Sequence, residues 1–472
     1  MRNSSYPTPR RAGHARHPVA IAIFLLCAGS ALNCSDAAAP SEPYAAIAKA
    51  AGGVNAIVVS SAAELITALA PENAGRRILV RAGSYGIDQP LTVPDGVTLE
   101  GEGVMLFDDA GLPSGFAAGT STTLTMTANT AGNILTLGNG VTVRGLAVED
   151  LPGRVGNAIA VISRDAGERV SATISETEIF TPNAHGQAPS GPTGCGLAVF
   201  TNNPNGAMDP PQHEGAALKV RLTRSLISSP SAGTGCGLFA FNFASVAGVF
   251  VTLEGNVVGG GIIANGGVSR PDAVHDSKVA VQSRRNLYRD DSADPCASRH
   301  LGWNLNGGSG SLLPFPPTAT VRNSLRVHSI DDRIEGFTTG VLARGGLRIA
   351  TNTGLSSENS IDIELVGTTV STPSCGGAPF VADFRLAAAQ VLDASLIPGD
   401  GNTVRVLIRN VTGSGSRSNV YTDVLGPAGP QPPALQGSGN RLEIVGSPQA
   451  FARTNSSIDP APSAEFFSSA GK

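Results

Sequence analysis

Apolar and polar residues alternate in a short pattern that recurs between residues 170 and 445. Each copy has an alternating apolar strand, a polar break of two or three residues, and a second short apolar strand. Copies begin at Ala172, Lys219, Phe250, Val279, Thr320, Asp362 and Val404, in steps of 47, 31, 29, 41, 42 and 42 residues. Recurrence every 20–50 residues or so is typical of a solenoid. Two constant strands and a variable loop predict a parallel β-helix with one coil per copy.

The alternation also predicts which side chains face the core. Side chains at every second strand position point to the same face, so eight apolar residues should stack inward in rows: Val220, Leu222, Val251, Leu253, Val279, Val281, Ile363 and Leu365. Polar residues fall at the break between paired strands, at Ser225, Asn256, Asn286 and Asn410. Asn tolerates left-handed backbone angles, and stacked amides can hydrogen-bond between coils. We interpret these four residues as a structural ladder.

Composition agrees with an all-β chain. The 472 residues include 58 Gly and 32 Pro, while aromatic residues are 5% and charged residues 15%. Many turns and few charged helix-forming residues favour strands. A solenoid grows in one dimension, so this length does not require several globular domains.

Residues 1–33 are predicted to be an export signal. Four arginines and no acidic residue precede the apolar stretch Val19–Leu32, which is short for a membrane span. Cys34 follows in a lipobox-like context, so we expect lipidation there; the alternative is ordinary cleavage near Ala38. Residues 34–55 are predicted to be a tether and 456–472 a flexible tail. The expected location is the cell envelope, anchored in the outer membrane or cell surface by lipid alone, or otherwise the periplasm or medium.

A capping box, Ser61-Ala62-Ala63-Glu64, predicts a short helix from Ser61 to Leu69. This helix, the following segment Ile78–Tyr85 and the phrase Pro90–Gly101, echoed at Gly140–Gly145, resemble the entry of pectin-lyase-like proteins. The resemblance covers residues 56–455 and implies a single right-handed parallel β-helix with a helical cap. It does not select an activity, because that superfamily includes lyases, hydrolases, tailspikes and adhesins.

Charge limits the partners. Without residues 1–33 the chain has 29 basic and 37 acidic residues, a balance of −8. An acidic surface disfavours nucleic acid and anionic lipid. We expect a monomer whose partner is a polysaccharide or another cell-surface polymer.

The cysteines predict a cross-link. Cys195 and Cys236 occupy the same phrase, Thr-Gly-Cys-Gly-Leu, 41 residues apart. On adjacent coils their Cα atoms would lie about 4.8 Å apart, within disulfide range; the alternative is a pair of buried thiols. Cys296 and Cys375 are candidates for a second bridge. No Cys/His spacing typical of zinc is present.

Acidic residues gather between residues 272 and 335. We expect Asp290, Asp291, Asp331 and Asp332 to converge on one rim, as acid and base for glycoside hydrolysis or as Ca²⁺ ligands. A calcium-assisted lyase would need a base such as Arg284, Arg285 or Arg333. The catalytic candidates are therefore Asp291, Asp332, Asp290, Asp331 and Arg333. The alternative is solvated loop acids paired with Arg289 and Arg333.

Four further residues are candidates for substrate binding: His300, Trp303, Asp276 and His275. An exposed Trp303 would provide a stacking platform for sugars; the alternative is a ring that covers the core beneath a loop.

Enzyme signatures of the superfamily are missing. The sequence has no W-I-D-H or R-x-P-x-x-R of pectate lyases and no N-T-D, G-H-G or R-I-K set of polygalacturonases. The first hypothesis is therefore a polymer-binding surface protein. The second is a polysaccharide lyase or glycoside hydrolase, and the third is a purely structural or adhesive protein.

Overall fold

The computed structural model describes residues 56–163, 165–183, 185–188, 191–201, 214–230, 235–269, 273–296, 300–310, 318–349, 354–375, 381–414, 419–427, 431–446 and 466–467. The predicted signal and tether, Cys34, and Asp272 lie outside the described residues. So does most of the predicted tail. The described residues all belong to one compact unit, Val54–Lys472.

Three long sheets, all parallel within themselves, form the fold. Sheet A contains Ala56–Val59, Arg77–Val80, Thr98–Gly101, Val141–Arg144, Arg169–Ser175, Ala217–Thr223, Gly248–Glu254, Lys278–Arg284, Ser324–Ile330, Ser360–Val366, Thr403–Arg409, Arg441–Gly446 and Phe466–Phe467. Sheet B contains Gly83–Ile87, Thr122–Met126, Ala147–Glu149, Glu178–Phe180, Leu226–Ser228, Val257–Gly259, Leu287–Arg289, Arg333–Glu335, Thr369–Ser371 and Thr412–Gly413. Sheet C contains Leu91–Val93, Leu135–Leu137, Ile159–Ile162, Cys195–Thr201, Cys236–Asn242, Ile262–Asn265, Leu301–Ser309, Thr339–Arg348, Ala382–Val391 and Val420–Leu425.

The chain visits sheets A, B and C in turn and then begins the next coil. This is the predicted parallel β-helix. Three small sheets accompany it: Val274–His275 with Thr320–Val321 and Ser356–Ser357, the hairpin Met105–Phe107 with Pro113–Phe116, and the hairpin Gly186–Ala188 with Gly191–Thr193. Two 3₁₀ helices span Pro71–Asn73 and Pro433–Leu435.

The predicted cap is a helix at Ala62–Ala68. The Ser61 hydroxyl accepts a hydrogen bond from the Glu64 backbone N–H, as a capping box requires. The Glu64 carboxylate reaches one residue further back than predicted and accepts from the Ser60 N–H at 2.7 Å. Leu65 is fully buried and joins the helix to the β-helix core.

The predicted inward rows are confirmed. Val220 pairs with Val251, and Val251 pairs with Val281 on the next coil. All eight predicted core residues are at most 2% exposed and belong to one continuous apolar cluster. Burying a Val, Leu or Ile side chain contributes about 1.5–3 kcal/mol, so the rows are the main source of stability.

The predicted start of the fifth copy, at Thr320, is wrong. Val281 pairs with Val327, so the coil equivalent to Val279–Tyr288 begins at Leu325, five residues later than Thr320. The segment beginning at Thr320 instead spans the turn that enters sheet A. It carries the same apolar-polar-apolar pattern because both turns place a polar residue between two strands.

The ladder exists at the turn from sheet A to sheet B, with one correction. Asn256 Oδ1 accepts from the Ser225 N–H, and Asn286 Oδ1 accepts from the Asn256 N–H, each at 2.9 Å. Asn410 is not part of this ladder, because it occupies the preceding turn position with a φ of 53° and an exposed side chain. Such left-handed positions suit Asn.

A second ladder, which the repeat pattern does not predict, lies at the turn from sheet C into sheet A. Asn323, Asn359, Asn402 and Asn440 each accept from the backbone N–H of the preceding coil's turn at 2.9–3.1 Å. The first of these donors is Ser277, at 3.0 Å. The two ladders together hold both ends of the sheet A strands Lys278–Arg284 and Ser324–Ile330.

Candidate functional site

The four predicted acids do not leave the helix at equivalent points. Asp290 and Asp291 follow the sheet B strand Leu287–Arg289, whereas Asp331 and Asp332 follow the sheet A strand Ser324–Ile330. Because Arg289 pairs with Glu335, the coil equivalents of Asp290 and Asp291 are Gly336 and Phe337. The prediction of a single acidic rim was wrong, since it depended on the misassigned fifth repeat.

Asp332 is a ladder residue and is fully buried. Its carboxylate accepts from the Asn286 N–H at 2.8 Å and from the Ser329 hydroxyl at 2.6 Å. Burial raises the pKa of Asp332, although these hydrogen bonds oppose the increase. Asp332 faces the interior, so it does not contact a polymer outside the helix.

Trp303 is likewise an interior residue. Its ring is fully buried and packs edge-on against Tyr288, with ring centroids 5.4 Å apart. The predicted sugar platform at Trp303 was therefore wrong. Trp303 occupies an inward position of sheet C, paired with Ile262 and Val341, where a large ring fills the core.

Asp290 and His300 form a buried pair at the corner between sheets B and C. His300 Nδ1 lies 2.8 Å from Asp290 Oδ2, and both side chains are almost completely shielded from solvent. Asp291 is held separately. Its carboxylate accepts from the Ser228 hydroxyl at 3.0 Å and from Arg289 at 2.7 Å.

The remaining predicted residues lie on the surface at other corners. Arg333 pairs with Glu335 at 2.7 Å, and Asp331 takes the left-handed turn position with a φ of 54°. Asp276 lies at the turn into sheet A and accepts from Arg322 and His275, each at 2.9 Å. These hydrogen bonds, chiefly the one from Arg322, lower the pKa of Asp276 to about 2. This is a surface ion pair, far along the coil from Asp290.

The outer face of sheet C has an unusual composition for a solenoid surface. Alternate residues of its strands belong to two separate apolar clusters: Leu197 and Leu238 to the core, and Phe200, Phe239 and Phe241 to a second cluster outside it. The rings of Phe239 and Phe241 stack with centroids 3.7 Å apart. Aromatic faces therefore cover this sheet in the coils around residues 195–243.

Polar side chains continue the same outer face towards the C-terminus. The guanidinium of Arg344 donates to Gln390 Oε1 at 2.8 Å and to the side-chain oxygen of Asn304. Arg344 and Gln390 are buried, while Asn304 is half-buried. One guanidinium thus joins side chains from three successive coils.

Arg385 lies on the same outer face, in the column of paired residues that contains Asn304. Register pairs Ile263 with Asn304, Asn304 with Leu342, Leu342 with Arg385, and Arg385 with Val420, so these residues form one column. Among the described residues, Arg385 Nε is shielded and has no hydrogen-bond partner. Burial lowers the pKa of Arg385, yet a guanidinium stays protonated. The column therefore contains a half-buried cation.

Asp383 lies two residues before Arg385 and is buried at the corner of the same strand. Its Oδ1 accepts from the Thr372 hydroxyl at 2.9 Å and from the Ser414 hydroxyl. Burial, and secondly the charge of Asp383, raise the pKa of Tyr421. In the preceding coil Gly340 occupies this position because a Cβ there would lie 2.3 Å from Val370. Gly413, the partner of Val370, makes room for the Asp383 side chain.

Chemically, this outer face suits polyhydroxylated ligands. The half-buried side chains of Asn304 and Arg385 carry amide and guanidinium groups, which can hydrogen-bond hydroxyl oxygens. Its residues were missed in the sequence because Arg344 and Arg385 lie within long, mostly apolar strands. Their outward direction becomes evident only when the coil register is known.

The residues that could hold a metal ion are not the four predicted acids. Among the described residues, one group of three His, Cys, Asp or Glu donors is close enough to share an ion, namely His185, Cys195 and Cys236. Cys195 and Cys236 are disulfide-bonded in the structure, on paired strands with Cα atoms 4.6 Å apart. Cys296 and Cys375 form a second disulfide. The four predicted acids do not form such a group.

Comparisons with known proteins bear on the fold alone. No protein-family model matches the sequence, and no curated protein matches it. Among solved structures, the Dettilon tailspike protein gp208 is 14% identical, with a TM-score of 0.32, over 82% of this chain and 68% of that chain. The catalytic unit of a GH87 α-1,3-glucanase from Streptomyces thermodiastaticus strain HF3-3 is 11% identical, with a TM-score of 0.27, over 84% of this chain and 66% of that chain.

No helix among the described residues is both long and apolar enough to cross a membrane. The three parallel sheets and their coil-by-coil order give this chain an all-β parallel β-helix fold.

Proposed function

We propose that this chain is an exported protein that binds a polysaccharide along the outer face of sheet C. The observation that carries the proposal is the column Ile263, Asn304, Leu342, Arg385 and Val420. Ile263, Asn304, Arg385 and Val420 are half-buried, as expected for the floor of a groove. The buried Arg344 holds Asn304 in place beside it.

The geometry of a solenoid favours a polymer over a small ligand. Neighbouring coils are about 4.8 Å apart, so a chain lying along the axis meets a new side chain at each coil. The half-buried column has apolar side chains at its two ends, Ile263 and Val420, and polar side chains at Asn304 and Arg385 between them. A polymer with alternating apolar faces and hydroxyl groups matches this arrangement better than a protein surface does.

The test compares two arginine variants. Arg385→Ala removes the half-buried cation of the column and should weaken polysaccharide binding about tenfold or more, because hydrogen bonds to a charged group contribute about 1.5–3 kcal/mol. Arg405→Ala is the matched control, since Arg405 is exposed on sheet A and pairs with Glu443 at 3.6 Å. Binding is measured on a panel of neutral and acidic polysaccharides.

The same incubations distinguish binding from catalysis. New reducing ends or unsaturated products would establish a hydrolase or lyase, for which the buried pair Asp290 and His300 is the acid-base candidate. Binding without products supports the binding protein. Equal binding by Arg385→Ala and wild type would contradict the assignment of this face, and failure to bind any polymer would favour the structural or adhesive alternative.

A further inference from the structure

The first residues of two sheet C strands lie beside a histidine. Cys195 opens Cys195–Thr201, Cys236 opens Cys236–Asn242, and the two residues pair in register. His185 precedes the hairpin whose second strand leads to Cys195. The donor atoms of these three residues all lie within 4.8 Å of one another.

The spacing suits a tetrahedral metal. His185 Nδ1 lies 3.5 Å from Cys195 Sγ, and an imidazole nitrogen and a thiolate bound to one Zn²⁺ lie about 3.5 Å apart when Zn–N is about 2.0 Å and Zn–S about 2.3 Å. Two thiolates on the same ion lie about 3.8 Å apart. Side-chain rotation on strands whose Cα atoms are 4.6 Å apart can provide this separation.

The surroundings favour a soft or borderline ion over a hard one. Both cysteines are fully buried and belong to the phenylalanine cluster. The ring of Phe239 lies 5.6 Å from that of His185. No carboxylate joins the group among the described residues. Thiolate and imidazole donors select Zn²⁺ over Mg²⁺ or Ca²⁺.

We infer that reducing the Cys195–Cys236 disulfide converts this staple into a Zn²⁺ site with His185 as the third ligand. A dithiol reductant supplies two electrons and two protons, its own sulfurs forming a disulfide, while the protein disulfide becomes two thiols. Zn²⁺ then binds as both thiols release their protons. Three protein ligands leave the fourth coordination position to water or another ligand. The cross-link and the metal therefore exclude one another.

The experiment uses Co²⁺ as a spectroscopic probe for Zn²⁺. In the full chain with Cys27→Ser, Cys34→Ser, Cys296→Ser and Cys375→Ser, the only cysteines left are Cys195 and Cys236, so any thiolate signal comes from these two. The protein is reduced with a phosphine, which does not compete for metal as thiols do, and is titrated with Co²⁺ without oxygen. We expect thiolate-to-cobalt charge-transfer absorption at one ion per chain, lost on adding Zn²⁺ and absent in the oxidised protein.

His185→Ala tests the third ligand. Losing even an outer-shell partner costs about 10–100-fold in metal affinity, so its Co²⁺ affinity should fall at least about tenfold. His328→Ala is the matched control, because His328 lies on sheet A, 3.7 Å from Glu364. Circular dichroism follows folding in parallel. Three outcomes overturn the inference: no charge-transfer band, equal affinity in His185→Ala, or reduced protein that unfolds and is not refolded by Zn²⁺.

Discussion

Asp332 shows how a single side chain can weaken a ladder. Asn256 and Asn286 fill the equivalent positions of the two preceding coils and donate through their amides to Leu222 and Leu253 carbonyls. An ionised carboxylate accepts the same hydrogen bond from the N–H of the preceding coil, but it carries a charge and donates no hydrogen bond. Its burial raises its pKa above the ordinary value of 3.8. The charged form is therefore the less favourable one in the folded protein.

Asp332→Asn should raise the free energy of unfolding at neutral pH, because the buried amide carries no charge and keeps the ability to accept the same hydrogen bonds. The folded protein binds this proton more tightly than the unfolded chain does. The cost of Asp332 is therefore absent below pH 3.8 and grows as the pH rises through the folded-state pKa. Denaturant unfolding of both proteins across this range measures the difference. Asp331→Asn, at an exposed left-handed position that Asn tolerates, should change little. A difference that does not grow with pH would contradict this account.

The sheet A strands are the part of the fold that the sequence predicts best. Their alternation is regular, each is seven residues long from Arg169–Ser175 to Thr403–Arg409, and a tight turn follows. The second ladder escaped prediction because variable loops separate it from the preceding strand, so its Asn residues have no constant spacing. The polar break of the predicted fifth copy contains Asn323, which belongs to the second ladder. Identical chemistry at both turns made the local pattern ambiguous.

Asn359→Ala tests the second ladder as an element. The Asn359 amide accepts from the Asn323 N–H at 2.9 Å and donates to the Thr320 carbonyl at 3.1 Å. Its removal takes these hydrogen bonds from two buried groups of the preceding coil, at about 1–3 kcal/mol each. We expect a loss of about 2–4 kcal/mol in unfolding free energy. Asn410→Gly is the control, because it removes an exposed amide and keeps the left-handed backbone; comparable losses in both variants would reject the ladder as a stabilising unit.

At the scale of the whole molecule, the site depends on information that no local pattern contains. The sheet C strand Thr339–Arg348 is buried on both faces along nearly its whole length, so it does not show the alternation that separates inside from outside. Arg344 contacts the column of Arg385 through Asn304, and this contact exists only because the loops between the strands have particular lengths. The inward position of Trp303 beside Tyr288 likewise depends on the coil register. The repeat in the sequence is enough to predict the fold class. The site is not predicted in this way, because the length of each loop decides which side chains line up across the coils.

Two disulfides within the described residues agree with an oxidising compartment, and four arginines precede the apolar stretch at residues 19–32. We therefore predict that the mature chain begins at a lipidated Cys34. Mass spectrometry of the N-terminal peptide from the membrane fraction should find a diacyl or triacyl group on this residue. Cys34→Ser should release the protein from the membrane without changing polysaccharide binding, since the proposed groove lies more than 200 residues further along the chain. An unmodified N-terminus beyond Cys34 in the wild-type protein would reject the lipid anchor and leave export by ordinary signal cleavage.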